Sequence, residues 1–271
     1  MTWLPWLIFS LPNHWDKRTD VRTMTQQSTH PPSNTVLFAR SLLFSLGMIV
    51  STVVWAPVVL LAFPISFERR YRLSQQWTRF NIWWLEKTCR IGYRITGLEH
   101  VPKGPAIVLA KHQSTWETLF LHHLFPPQAW VVKKELLWIP FFGWALRLLE
   151  PIAIDRKSAS IAIKQVLQQG KKSLDRGRWV VIFPEGTRVH PGSRGHYSAG
   201  GAMLAARSGY PIVPIAHNAG EFWQRQGFLK RPGIIKVVIG PAIDSSGRKA
   251  QQLIALTEEW IEGTMERISH A

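Results

Sequence analysis

From Ser41 to Ser66 the chain carries no charged residue, a run of 26 positions divided past its middle by Pro57. About 20 apolar residues cross a bilayer once as a helix, so the run allows one span and excludes two. Arg40 precedes it and Glu68-Arg69-Arg70-Tyr71-Arg72 follows. Both flanks are therefore basic, and the excess of cations selects no orientation. Two readings stand side by side: a half-inserted hairpin bent at Pro57, or one transmembrane helix. In residues 68–94 the aromatic positions Trp77, Phe80 and Trp84 recur at i, i+3 and i+7, with Arg72, Arg79 and Lys87 largely elsewhere. This predicts a basic helix whose aromatic stripe lies on a membrane surface. The alternative is a helix that packs the stripe onto the core.

After Thr96 the pattern changes to short, continuous apolar runs: 106–110, 129–132, 151–154, 179–183, 211–216 and 234–240. Helical patterns separate them, over 115–125, 136–149, 158–176, 199–208 and 247–269. Continuous apolar strands alternating with helices predict an α/β fold: a mostly parallel sheet covered by helices on both faces, preceded here by a helical membrane-binding segment. The expected organisation is a polar, disordered lead-in over 1–34, the membrane segment over 35–95 and an α/β domain over 96–271. The first twelve residues lack a basic start and are broken by Pro5 and Pro12, which makes a poor signal peptide.

Composition narrows the class of partner. The 33 Lys and Arg against 17 Asp and Glu leave a net charge of +16, which suits a polyanion, either nucleic acid or anionic lipid. Fourteen tryptophans favour the lipid, because indole is satisfied at a membrane–water interface. The basic residues also crowd around apolar segments rather than one polar face, so no nucleic-acid partner is expected. A single cysteine, Cys89, excludes an intrachain disulfide and a cysteine zinc cage.

In a parallel sheet, ligands bind at the carboxyl ends of the strands. Those positions here hold Lys111-His112-Gln113-Ser114-Thr115-Trp116-Glu117, then Lys133 and Lys134, then Asp155 and Arg156, then Pro184-Glu185-Gly186-Thr187-Arg188, then His217 and Asn218. Ser114-x-x-Glu117 fits a capping box that starts a helix. It also fits a base with its carboxylate: Glu117 accepting the Nδ1 proton of His112 would leave Nε2 to take a proton from an alcohol. His122 and His123 follow on the same helix but off the Glu117 face, so no metal site is expected. In "FPEGTR" (183–188), Gly186 admits close approach to the backbone and Arg188 offers a fork of donors suited to phosphate.

Four stretches, "KHQSTWE", "EPIAIDR" (150–156), "FPEGTR" and "YPIVPIA" (210–216), occur in the order and spacing of the four blocks of the glycerolipid acyltransferases. Over about residues 36–241 the chain resembles that family, and within it the 1-acyl-sn-glycerol-3-phosphate acyltransferases. One position departs: the family's first block ends in aspartate, where this chain has Glu117. The resemblance implies His112 as general base for the sn-2 hydroxyl of lysophosphatidate and Glu117 as its orienting carboxylate. It also implies a phosphate site at Glu185, Gly186, Thr187 and Arg188, assisted by Arg156, with no acyl-enzyme and no cofactor. Lys133 and Lys134 are added to that site from their strand-end position alone. The expected partners are a phospholipid membrane, lysophosphatidate, and acyl-CoA or acyl-carrier protein as acyl donor. The expected location is a bacterial inner membrane with the active site facing the cytoplasm. The aromatic segment 135–149 would bury acyl chain, lie against lipid or join the core. Two other readings keep the residues: transfer to another lysophospholipid or lyso-aminolipid, or a silent binder of anionic lipid.

Overall fold

The computed structural model describes residues 32–270. The lead-in expected over 1–34 falls almost wholly outside the described residues. Its last residues lie within them: Ser33 accepts the Val36 N–H and caps helix α1, Asn34–Leu61. α1 continues unbroken through Pro57, so the hairpin bent at that proline is not formed. The chain reverses at residues 62–66 instead, and α2 (Phe67–Cys89) returns antiparallel along α1. A proline inside a helix removes one N–H donor and crowds the carbonyl four residues earlier, a cost that the packing of α2 alongside α1 offsets here.

The packing of these two helices revises the reading of the aromatic stripe. Trp77 and Trp84 pack against the buried core cluster rather than forming an outer lipid face. Trp84 Nε1 donates to the Leu43 carbonyl at 3.3 Å, and Trp55 Nε1 donates to the Leu73 carbonyl at 3.2 Å. Gly47 permits this approach, because a Cβ there would lie 2.0 Å from Trp84 Nε1. The apolar surface is instead the outer side of α1, where Leu46, Ile49, Val50, Val53 and Leu61 are exposed. By length and composition, α1 suffices to cross a membrane.

Arg90, in the left-handed conformation, ends α2 and releases strand β1, Ile91–Thr96. The sheet therefore begins inside the segment assigned to the membrane part, and the boundary at 95/96 cuts its first strand. β1 escapes a reading of apolar runs because it is an edge strand with an alternating burial pattern, "IGYRIT". Next come β2 (Ile107–Ala110), α3 (Trp116–Leu124), β3 (Gln128–Lys133), α4 (Phe142–Arg147) and β4 (Ile152–Ile154). α5 (Ala159–Asp175), β5 (Trp179–Ile182), α6 (Gly200–Ser208) and β6 (Ile212–His217) follow. α7 (Ala219–Phe222), β7 (Gly233–Ile239) and α8 (Ala250–Ile268) complete the order. The single helix expected over 136–149 is interrupted. A 3-10 helix over Lys134–Trp138 ends before Pro140, and Phe141 takes a positive φ of 59° before α4 begins.

The seven strands run in the order β1-β7-β6-β2-β5-β3-β4, parallel except for β6 against β7. β2 thus lies between β5 and β6, and the ends of those three strands place residues 111, 183 and 217 side by side. One face of the sheet is covered by α2 and α3 around Phe120, Trp116 and Val108; the other is covered by α5 and α6 around Leu174, Val180 and Ile107. Arg70, itself buried, ties the helical hairpin to this body. It donates to the carbonyls of Phe63 and Ile65 in the reversing turn and of Leu148 after α4. Lys230 does the same for the other end of α1: its N–H donates to Ser41 Oγ at 2.9 Å, and its ammonium lies over the Phe44, Trp223 and Phe228 rings.

Candidate active site

The stretch after β2 folds around a single carboxylate. Glu117, fully buried in the first turn of α3, accepts from His112 Nδ1 at 2.8 Å, Gln113 N–H at 2.9 Å and Ser114 N–H at 2.8 Å, all at Oε1. The capping box is realised in part. The glutamate returns to the Ser114 N–H as that motif requires, while Ser114 Oγ accepts from the Trp116 N–H one residue early. Helix start and base–carboxylate pair are the same structure. Burial opposes the charged form of Glu117. His217 and the hydrogen bond from His112, with the Ser114 N–H, outweigh it and hold the carboxyl below the usual carboxylate range.

The His112 ring is clamped flat. It stacks on Phe183 with centroids 3.9 Å apart and planes 8° from parallel. Its backbone is held on both sides: the N–H donates to Glu185 Oε2 at 2.7 Å, and the carbonyl accepts from Val189 N–H at 2.8 Å. With Nδ1 committed to Glu117, Nε2 is the nitrogen offered outward, in the tautomer a general base needs.

The "FPEGTR" turn wraps beside it. Gly186 has a φ of 65°, a left-handed conformation that glycine adopts without strain, and Gly186 and Thr187 are exposed next to His112. Arg188 lines an adjacent cavity, and its carbonyl accepts from Arg225 Nη1 at 3.0 Å. Sequence reasoning passed over Arg225, whose only signal is its charge. Arg156 reaches the same turn and donates to the Gly186 carbonyl at 2.7 Å, so it braces the turn. Lys134 is committed to an ion pair with Asp155, and Lys133 is exposed at the end of β3. Glu185, expected within the phosphate group, faces inward onto the His112 backbone.

A cavity of about 380 Å³ opens beside Arg188 and runs between the helical hairpin and the α/β body. Its walls include Trp55 and Val59 of α1, Trp77 of α2, Leu119 of α3, Val132 of β3 and Ala145 of α4. That volume falls in the range of small-molecule sites, and the lining is overwhelmingly apolar. Polar side chains interrupt it, among them Thr52, Thr115, Arg188 and His122, the last hydrogen-bonded to Ser74 Oγ at 2.8 Å and Tyr71 OH at 3.2 Å. Burial keeps His122 neutral, with its pKa lowered to about 3. Among the described residues no group of three or more His, Cys, Asp or Glu could hold a metal ion.

An α/β sheet carrying an oriented histidine, a glycine turn with an arginine, and a long apolar cavity defines an acyl-transfer class of site. The family described as Acyltransferase matches residues 92–218. A Pseudomonas aeruginosa 1-acyl-sn-glycerol-3-phosphate acyltransferase is 47% identical over 241 residues, covering 87% of this chain and 94% of that protein. A protein of the same description from Chlamydomonas reinhardtii is 31% identical over 80% of this chain and 65% of its own length. The crystal structure of a 1-acyl-sn-glycerophosphate acyltransferase from Thermotoga maritima shares the fold, with a TM-score of 0.71 at 22% identity over 84% of this chain and 94% of that one. The chain belongs to the 1-acyl-sn-glycerol-3-phosphate acyltransferase family.

Proposed function

We propose that the chain transfers a fatty acyl group from an acyl thioester to the sn-2 hydroxyl of 1-acyl-glycerol-3-phosphate, forming phosphatidate. The observation that carries this reading is the 2.8 Å pair of His112 Nδ1 with Glu117, which leaves Nε2 free on the sheet edge where β2 and β5 also deliver the Gly186–Arg188 turn. His112 Nε2 removes the hydroxyl proton as the oxygen attacks the thioester carbonyl, and Glu117 stabilises the imidazolium. The tetrahedral intermediate then breaks its C–S bond, and the departing sulfur takes the proton back from His112. No enzyme nucleophile takes part, so no acyl-enzyme forms.

Arg188, with the Thr187 hydroxyl and the exposed backbone at Gly186, receives the acceptor's phosphate. Arg156 assists that site by bracing the turn, with one guanidinium N–H on the Gly186 carbonyl and its other donors left for the phosphate. Lys133 supplies positive field at the end of β3, while the charge of Lys134 is balanced by Asp155. The cavity takes acyl chain; its wall from α4 gives the 135–149 segment that role. The exposed side of α1 and the net +16 charge attach the enzyme to an anionic bilayer, the cytoplasmic face of a bacterial inner membrane.

The deciding assay offers membranes containing the protein lysophosphatidate or lysophosphatidylcholine, with acyl-CoA or acyl-carrier protein as donor, wild type beside His112→Ala. Phosphatidate formed by wild type and lost in the variant is expected. Transfer only to lysophosphatidylcholine would retain the chemistry and overturn the acceptor. No transfer from either donor by folded protein would overturn the reading.

A further inference from the structure

Behind the His112–Glu117 pair lies a second buried charge cluster that the transfer chemistry does not consume. Lys111 is 1% exposed; its Nζ lies 2.9 Å from Glu185 Oε1 and 2.7 Å from Glu262 Oε1, and it donates to the Ser193 carbonyl at 3.2 Å. Tyr197 OH donates to the same Glu262 oxygen at 2.7 Å. The other oxygen of Glu185 is the one that accepts the His112 N–H. A continuous path therefore runs from α8 through Glu262, Lys111 and Glu185 to the backbone of the base. Glu262 lies outside the residues matched by the family, so the motifs carry no sign of it.

We propose that Lys111 and Glu262 are positioning residues for His112: Lys111, oriented by Glu262, holds Glu185 as the charged acceptor of the His112 N–H, so that helix α8 helps set the pose of the catalytic base. The inference rests on the acyl-transfer reading of the site. Stability alone does not account for the cluster, since buried ion pairs are replaceable by apolar packing at little cost. Its layout is instead specific to one acceptor atom. The loop over it is packed tightly, and a Cβ at Gly195 would lie 2.8 Å from Glu185 Cγ. A charged carboxylate is also a markedly stronger acceptor than a neutral one, so the protonation of Glu185 governs the grip on His112.

Burial raises the Glu185 pKa to about 7, Lys111 acts against that rise, and Glu262 adds to it. The groups facing Glu185 are Lys111 and the His112 N–H from the end of β2, Glu262 from α8, and Tyr197 from the loop before α6, with the Arg194–Glu258 pair beyond them. His217, from the end of β6, touches the cluster through the Lys111 carbonyl, and burial lowers its pKa. Removing the cation and removing the second anion must therefore move the titration of Glu185 in opposite directions.

The test is the pH profile of kcat for wild type, Lys111→Met and Glu262→Gln, each scaled to folded protein, with KM for lysophosphatidate measured alongside. Expected is an acid limb displaced upward in Lys111→Met, by on the order of one pH unit, and downward in Glu262→Gln, with KM unchanged in both. A merely structural cluster would scale the rate equally at every pH, and that result, or limbs that stay in place, overturns the proposal. Should Lys111→Met fail to fold, Glu262→Gln decides alone, because its carboxamide oxygen still accepts from Tyr197. Wild type active with unshifted variants removes this inference only; wild type inactive toward every acceptor removes the acyl-transfer reading and the inference with it.

Discussion

Glu117 Oε1 lies 2.8 Å from His112 Nδ1 while also closing onto the N–H groups of Gln113 and Ser114. One oxygen thus builds the helix start and selects the imidazole tautomer. The carboxylate reaches back from the first turn of α3 and meets the imidazole away from solvent.

Glu117→Gln replaces an acceptor of three donors with an amide that can present its NH₂ to the ring. Loss of the correct tautomer is expected to lower kcat by roughly 10²-fold or more, with little change in KM. Initial rates on protein verified as folded by circular dichroism check this.

Arg188→Ala is expected to raise KM for lysophosphatidate about 10- to 100-fold, the equivalent of one lost charge-assisted hydrogen bond of about 1.5–3 kcal/mol. KM for the acyl donor should stay near that of wild type. Equal losses for both substrates would remove the phosphate contact from the scheme.

Ala145→Leu adds bulk at the α4 wall, where Ala145 packs against Ala56 and Val59 beside the cavity. Transfer should shift toward shorter chains in a competition among acyl thioesters of graded length. A uniform loss across lengths would place the acyl chain elsewhere.

Stability should fall on acidification in a way His122 accounts for. Its pKa is 6.5 for an ordinary histidine and about 3 when buried here, so between those values the unfolded chain binds more protons than the folded one. The free energy of unfolding then rises with pH across that window, and the contribution is complete above it. Urea midpoints measured from pH 3 to 7 should show a slope that His122→Phe flattens. An unchanged slope would contradict the neutral, enclosed imidazole.

Arg70→Ala is expected to destabilise the protein by at least about 2 kcal/mol, since it leaves the carbonyls of Phe63, Ile65 and Leu148 without their buried donor. The denaturant midpoint reads the loss. Arg70→Lys keeps the charge but should recover only part of the stability, because an ammonium lacks the guanidinium's fan of donors.

Local chemistry accounts for what was legible in the chain. The six apolar runs became β2 to β7, and His112, Glu117 and the 183–188 turn meet at one sheet edge because β2 and β5 are adjacent and parallel, with their carboxyl ends aligned. Those residues are close in sequence to strand ends, so local spacing suffices to place them. β1 was not legible, since an edge strand alternates and shares its texture with the preceding helix. Pro57 pointed to a bend, but tertiary packing against α2 carried the helix through it. The stripe of Trp77 and Trp84 had the right period, and only the antiparallel hairpin decided that α1 covers it. The commitments of Lys134 to Asp155 and of Arg156 to the Gly186 carbonyl, like the path from Glu262 to His112, join residues far apart in sequence. Periodicity records which face of an element is apolar. Which partner fills that face, and which charge meets which, is settled only when the layers close.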